Sequence, residues 1–108
     1  MTEWLEVAAA DDMAVGDKRV VEGGEGPILV TRLEDGFYAV HGICSHMYAE
    51  LEDGEVDADG QIACPLHDAH FDVRTGEALT PPAFEALATY TVEVRDGTVY
   101  VADEPSEA

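Results

Sequence analysis

The sequence predicts an all-β fold: a small antiparallel β-sandwich or barrel base with a ligand-bearing lobe inserted between its strands. Three observations carry that expectation. β-branched and aromatic runs flank Asp-Gly steps at 35–36 and 96–97, the strongest short-range signal for a hairpin. Helical periodicity is weak along the whole chain. Between the two hairpins lies a stretch, about Ile43 to Pro82, that holds both cysteines of the chain.

In chain order, the stretch from Ala9 to Met13 is a first helix candidate, no longer than a turn. Arg19-Val20-Val21 and Pro27 to Leu33 read as strands, and Asp35-Gly36 leads into Phe37-Tyr38-Ala39-Val40. The lobe follows. Its middle, Glu50 to Gly60, holds six acids and no base. A solvated loop is the plain reading there and a docking surface the sharper one. Asp-Gly steps at 53–54 and 59–60 can close a small hairpin within it. Ala83 to Ala86 is a second short helix candidate. Tyr90 to Arg95 and Thr98 to Val101, joined at Asp96-Gly97, form the second hairpin, with Tyr90, Val92, Val94, Val99 and Val101 supplying apolar surface. Trp4 and Phe84 read as core packing. The tail, Asp103 to Ala108, is polar and expected to fray. No repeat or linker divides the chain, so residues 1–108 read as one domain whose lobe spans about 43–82.

An apolar fraction of 46 % fits a folded globule of 108 residues. No apolar run is long enough to span a membrane. The acidic start, Met1 to Glu6, lacks a basic signal-peptide region and reads as mature sequence, which makes the cytoplasm the default location. Charge is lopsided, with 24 acids against 5 bases and a net charge of −19. That argues against nucleic acid and anionic membrane as partners, because phosphate binding needs clustered Lys and Arg. A basic protein surface is the natural complement. Solubility alone is the bland alternative.

The chemistry sits in Cys44-Ser45-His46 and Cys64-Pro65-Leu66-His67, with seventeen residues between the motifs. Two thiolates and two imidazoles are the ligand set of a Rieske [2Fe–2S] centre, in which histidines replace the cysteines on one iron. Neutral imidazole donates less electron density than thiolate and carries no charge, so the centre is easier to reduce. Rieske potentials accordingly span about −150 to +300 mV, against about −400 mV in plant-type ferredoxins. Ligation of this kind requires the two loops to face each other across the cluster. Pro65 stiffens the second loop, and Gly42 and Gly76 permit tight turns near it. Three other readings use the same residues. A Cys44–Cys64 disulfide conflicts with a cytoplasmic-looking chain. A Cys₂His₂ zinc site takes these donors, although Cys-x-His is tighter than the common spacing. Purely structural cysteines do not explain the matched histidines.

Together with His70-Phe71-Asp72-Val73-Arg74-Thr75-Gly76, Phe37-Tyr38-Ala39-Val40, Trp4 and Pro81-Pro82, these motifs resemble the Rieske ferredoxins of bacterial aromatic-ring dioxygenase systems. The resemblance covers nearly the whole chain. It implies a β base with a cluster-binding lobe, one [2Fe–2S] cluster per chain held by Cys44, His46, Cys64 and His67, and no catalysis by the chain itself. It implies a monomeric shuttle that takes electrons from an NAD(P)H-dependent flavin ferredoxin reductase. The shuttle passes them singly to a terminal Rieske oxygenase. Asp68 departs from the Gly, Gln or Ser usual after the second ligand histidine, and its negative charge should make reduction harder. High-potential relatives carry two further cysteines and a Ser and a Tyr hydroxyl near the cluster. The matching positions here are Ala49, Leu66, Ala69 and Phe71, which places this chain toward low potential.

His41 and His70 sit three residues from a ligand, but four donors already complete the centre, so both read as surface or supporting residues. His70 near the exposed edge is a candidate partner contact. Met47 and Tyr48 read as shields against water. No Ser or Asp forms a nucleophile–base set, and no further histidine pair with a carboxylate suggests a mononuclear iron site. A small Rieske subunit of a nitrite reductase-like enzyme and a zinc-binding interaction module are the alternative functions.

Overall fold

A computed structural model describes residues 3–23, 26–42, 51, 54–57, 59–63, 70–79 and 87–105. Eight strands run through them: β1 (Trp4–Ala9), β2 (Lys18–Gly23), β3 (Gly26–Leu33), β4 (Gly36–His41), β5 (Gln61–Ala63), β6 (His70–Asp72), β7 (Thr89–Arg95) and β8 (Thr98–Pro105). Six form an antiparallel sheet in the order β1-β8-β7-β4-β3-β2. Its two edges, β1 and β2, come into contact, so the sheet curls almost into a barrel. Strands β5 and β6 form a separate two-stranded sheet, the lobe. The expected all-β base with an inserted lobe is therefore the observed architecture.

Both hairpins form. Leu33 pairs with Gly36 across Glu34-Asp35, one residue earlier than the Asp-Gly step suggests. Arg95 pairs with Thr98 across Asp96-Gly97, whose φ values of 50° and 80° are those of a turn matched to strand twist. The first helix candidate is a 3-10 turn at Ala10–Asp12. Arg32 pins it, donating to the Ala10 and Met13 carbonyls at 3.2 and 2.7 Å. The candidate at 83–86, and Phe84 with it, lies outside the described residues.

One strand is added to the expected set and three expectations are corrected. Strand β1 is present but unannounced in the sequence, because a bulge between Glu6 and Ala8 breaks its alternation. The tail does not fray at Asp103: β8 continues to Pro105, opposite Tyr90. Trp4 is half-buried rather than a core residue, with the Arg95 guanidinium 4.7 Å from its ring centroid. Val94 likewise faces solvent, 48 % exposed, while Tyr90, Val99 and Val101 are buried.

Strand β3 explains where the lobe sits. Ile28 and Val30 point into the barrel, packing with Ala39, Tyr90, Val99 and Val101. Leu29 and Leu33 point the other way, packing with Val40 of β4 and with Leu51, Ile62, Phe71, Val73 and Leu87. Successive residues of a strand face opposite sides, so β3 is apolar on both because both are covered. Each such side chain is worth about 1.5–3 kcal/mol when fully buried. Thr31, the buried polar residue of this strand, donates its hydroxyl to the Asp17 carbonyl at 2.9 Å.

Candidate iron–sulfur site

The four candidate ligands, Cys44, His46, Cys64 and His67, lie outside the described residues, as do Pro65, Met47, Tyr48, Asp68, Ala49, Leu66 and Ala69. What the structure does define is the frame from which their two segments leave and return.

The first segment, 43–50, is closed at its base. Gly42 donates to the Pro27 carbonyl at 2.9 Å, and its own carbonyl accepts the Leu51 N–H at 2.9 Å. The second, 64–69, is the connection of the β5–β6 hairpin, closed by the Ala63–His70 pair. The two bases are fastened to each other. Gly54 donates to the Leu51 carbonyl at 2.9 Å, and Ala63 donates to the Glu55 carbonyl at 3.3 Å. A Cβ placed on Gly54 would stand 1.9 Å from the Ala63 carbonyl oxygen, so only glycine permits this approach. The described residues that flank the two candidate ligand segments are thus joined in one platform.

Beneath the platform the side chains are apolar and dry. Leu51, Ile62 and Phe71 are fully buried there. Phe71 occupies the position where high-potential relatives carry Tyr, and its ring lies in this apolar cluster. Gly76, expected at a tight turn, is at one. With φ of +77° it donates to the Asp72 carbonyl at 2.6 Å, and its carbonyl accepts the Leu87 N–H at 2.7 Å. Leu79 donates to the His70 carbonyl at 2.8 Å, which fixes the start of the segment that follows.

In the described part of the acidic middle, Glu55, Asp57 and Asp59 are exposed to solvent. Val56 bridges to Ile62, so the Asp59-Gly60 step does close a small hairpin. The Asp57 carboxylate accepts N–H groups from Asp59 at 2.9 Å and Gln61 at 3.0 Å, a turn-stabilising use of an acid. Gly54 and Gly60 are buried beneath exposed Glu55, Asp57 and Asp59.

Two cations clamp the lobe to the barrel. Arg74 donates to both Asp35 oxygens, at 3.3 and 3.2 Å, and to the Asp59 carbonyl at 3.0 Å, and lies over the Tyr38 ring. Its hydrogen bonds hold the Asp35 carboxyl below the ordinary carboxylate range, and Asp35 in turn pushes the Arg74 guanidinium up. The Lys18 ammonium reaches in from β2 and donates to the Gly54 carbonyl. The sequence places no base between Arg32 and Arg74, from which the side bearing the centre is expected to be strongly negative. Lys18 adds one positive charge beside the exposed Glu55, Asp57 and Asp59. His41 and His70 are both half-buried, at the end of β4 and the start of β6.

These features fit a bound [2Fe–2S] cluster. Soft sulfur and imidazole donors lie in sequence on two segments whose flanking residues share one platform, over a buried apolar floor. Among the described residues no other group of His, Cys, Asp and Glu could hold a metal ion. No helix among them is long and apolar enough to cross a membrane.

Comparison with known proteins agrees with this chemistry. The model of the Rieske [2Fe-2S] domain matches residues 3–91. The chain is 43 % identical over 102 residues to "Ferredoxin CarAc" of Metapseudomonas resinovorans, covering 94 % of each. It is 36 % identical over 101 residues to the anthranilate 1,2-dioxygenase ferredoxin subunit of Burkholderia cepacia, covering 94 % of this chain and 93 % of that one. In fold it is similar to a chain in the solved complex of reduced oxygenase and oxidized ferredoxin of carbazole 1,9a-dioxygenase. The TM-score there is 0.91, with 42 % identity and 97 % of each chain covered.

Proposed function

Because the chain belongs to the family of Rieske [2Fe–2S] domains, we propose that it is a one-electron carrier to the terminal oxygenase of an aromatic-ring dioxygenase system. Its relatives in such systems are named as ferredoxin components, carriers rather than catalysts. The observation that carries the reading is that the likeness spans those carriers end to end. On this reading barrel and lobe make one domain, with the lobe at about residues 43–82.

When bound, the cluster supplies a single reversible one-electron couple. Cys44 and Cys64 would hold one iron, and His46 and His67 the other. The platform at Gly42, Leu51, Gly54 and Ala63 ties together the residues that flank the two segments. Leu51, Ile62 and Phe71 keep water from below. Asp57 holds the turn of the lobe hairpin, and Arg74 ties that hairpin to the barrel at Asp35. The supply side is an NAD(P)H-dependent flavin reductase. Both partners offer basic faces to a surface of net charge −19.

Reconstitution tests this. Purified holoprotein should contain two irons and two sulfides per chain, and dithionite should bleach it while producing a rhombic low-temperature electron paramagnetic resonance signal. Cys44→Ser, Cys64→Ser, His46→Ala and His67→Ala should each abolish that signal. With a flavin reductase and oxygenases of the carbazole and anthranilate type, the holoprotein should support product formation. Absence of inorganic sulfide overturns the ligand assignment. A reducible cluster that reduces no oxygenase, but copurifies with a nitrite reductase, overturns the carrier role.

A further inference from the structure

We infer that Lys18 is a positioning residue for the centre: its ammonium locks the platform under both ligand-bearing segments and raises the cluster's reduction potential. The inference rests on the ligand assignment proposed above.

Lys18 is the sole lysine of the chain. It lies on β2, opposite Thr31, and leaves the barrel to reach the Gly54 carbonyl in a part-buried setting. Gly54 is the residue that joins the two loop bases. Its N–H goes to Leu51, which closes the first segment, and its backbone abuts the carbonyl of Ala63, which directly precedes Cys64. The ammonium therefore sits one residue-to-residue contact from each ligand-bearing loop.

The other bases are committed elsewhere. Arg19 donates to the Lys18 and Asp12 carbonyls, and Arg32 to those of Ala10 and Met13. Arg95 pairs with Glu93 between the rings of Trp4 and Tyr100. Arg74 is turned to Asp35 and to the Asp59 carbonyl. Lys18 is thus the cation aimed at the platform itself.

The electrostatics follow. Reduction adds one negative charge to the centre. A nearby fixed positive charge stabilises the reduced form more than the oxidised one, and a part-buried charge is screened less by salt than an exposed one. The surrounding net charge of −19 acts in the opposite sense. Lys18 is the built-in counterweight, and its effect holds whatever else the ammonium touches, because deleting it always removes one positive charge.

The test is the midpoint potential of the isolated holoprotein, which needs neither redox partner. Lys18→Gln keeps a donor for the Gly54 carbonyl and deletes the charge. It should shift the reduction equilibrium toward the oxidised form about threefold to tenfold, the larger figure being about 59 mV for one electron. Lys18→Arg should restore the wild-type potential to within about twofold of that equilibrium. A purely structural lysine would instead lower cluster retention with the potential unmoved, and an unmoved potential in loaded Lys18→Gln overturns the inference. Should that variant take up no cluster, assembled wild-type holoprotein is acetylated or, in parallel, reductively dimethylated, with modification of Lys18 verified by peptide mapping. Acetylation removes the charge and dimethylation keeps it, so equal potentials overturn the inference and a lower one after acetylation supports it. A wild-type protein with no Rieske signal sinks the ligand assignment. A normal signal with an unmoved potential sinks the role of Lys18 alone.

Discussion

Gly54→Ala is the sharpest perturbation of the platform. The new Cβ would stand 1.9 Å from the Ala63 oxygen and 3.1 Å from its carbonyl carbon, both backbone atoms that no rotamer change can move. Contacts below 3.0 Å force a shift, so the two loop bases must part by at least the difference, about 1 Å. That lengthens the Ala63–Glu55 hydrogen bond, which is already 3.3 Å. Overpacking of this kind costs about 1–3 kcal/mol, which for a domain of this size lowers Tm by about 5–15 °C. The informative quantity is cluster release, followed as loss of visible absorbance with a ferrous chelator well below Tm. Gly97→Ala is the control. It meets nothing within 4 Å and suffers only from φ of +80°, a cost of about 1–2 kcal/mol far from the lobe. Gly54→Ala should release its cluster at least several-fold faster than Gly97→Ala. Equal release rates at matched Tm loss would show that the platform does not hold the ligand loops.

Three further outcomes are expected. Phe71→Ala removes a fully buried ring from beneath the lobe and should cost about 3–5 kcal/mol by chemical denaturation; a loss below about 1 kcal/mol contradicts the packing. Asp35 has its carboxyl lowered by Arg74 in the fold, so its stabilising contribution is present at neutral pH and lost as pH falls through that lowered value, below the usual 3.8. Arg74→Ala should flatten this part of the acid limb of a Tm–pH curve; the pair is exposed, so the effect is small. With a net charge of −19, Tm should climb as sodium chloride rises from about 0.01 to about 0.5 M and the Debye length shrinks from about 30 Å to a few ångströms; a flat profile refutes self-repulsion as a destabilising force.

The hairpins were legible because turn chemistry and strand composition agree at 33–36 and 95–98. Strand β1 was not, since its alternation is broken by a bulge and its pairing with β8 spans nearly the whole chain. The C-terminal extension of β8 was hidden for a related reason: Asp103, Glu104 and Pro105 are poor strand formers individually, and β8 is held by neighbours on both sides. The proposed ligand set reads from two motifs, because donor chemistry needs particular residue types at tight spacing. The support was not. Nothing local distinguishes Gly54 from Gly60, or Lys18 from any surface lysine. Their roles arise from contacts across 36 residues for Lys18 and 39 for Arg74. The one available hint was that a chain with so few bases spends none carelessly.

Strand β3 has a consequence for the life history of the molecule. Because it is a party wall with an apolar surface on each side, the barrel cannot be finished while the lobe is open. An apoprotein whose lobe has swung away would bare Leu29, Leu33 and Val40, a greasy strip that invites aggregation or a chaperone's grip. Folding of the lobe is then also what keeps the barrel's outer wall out of solvent.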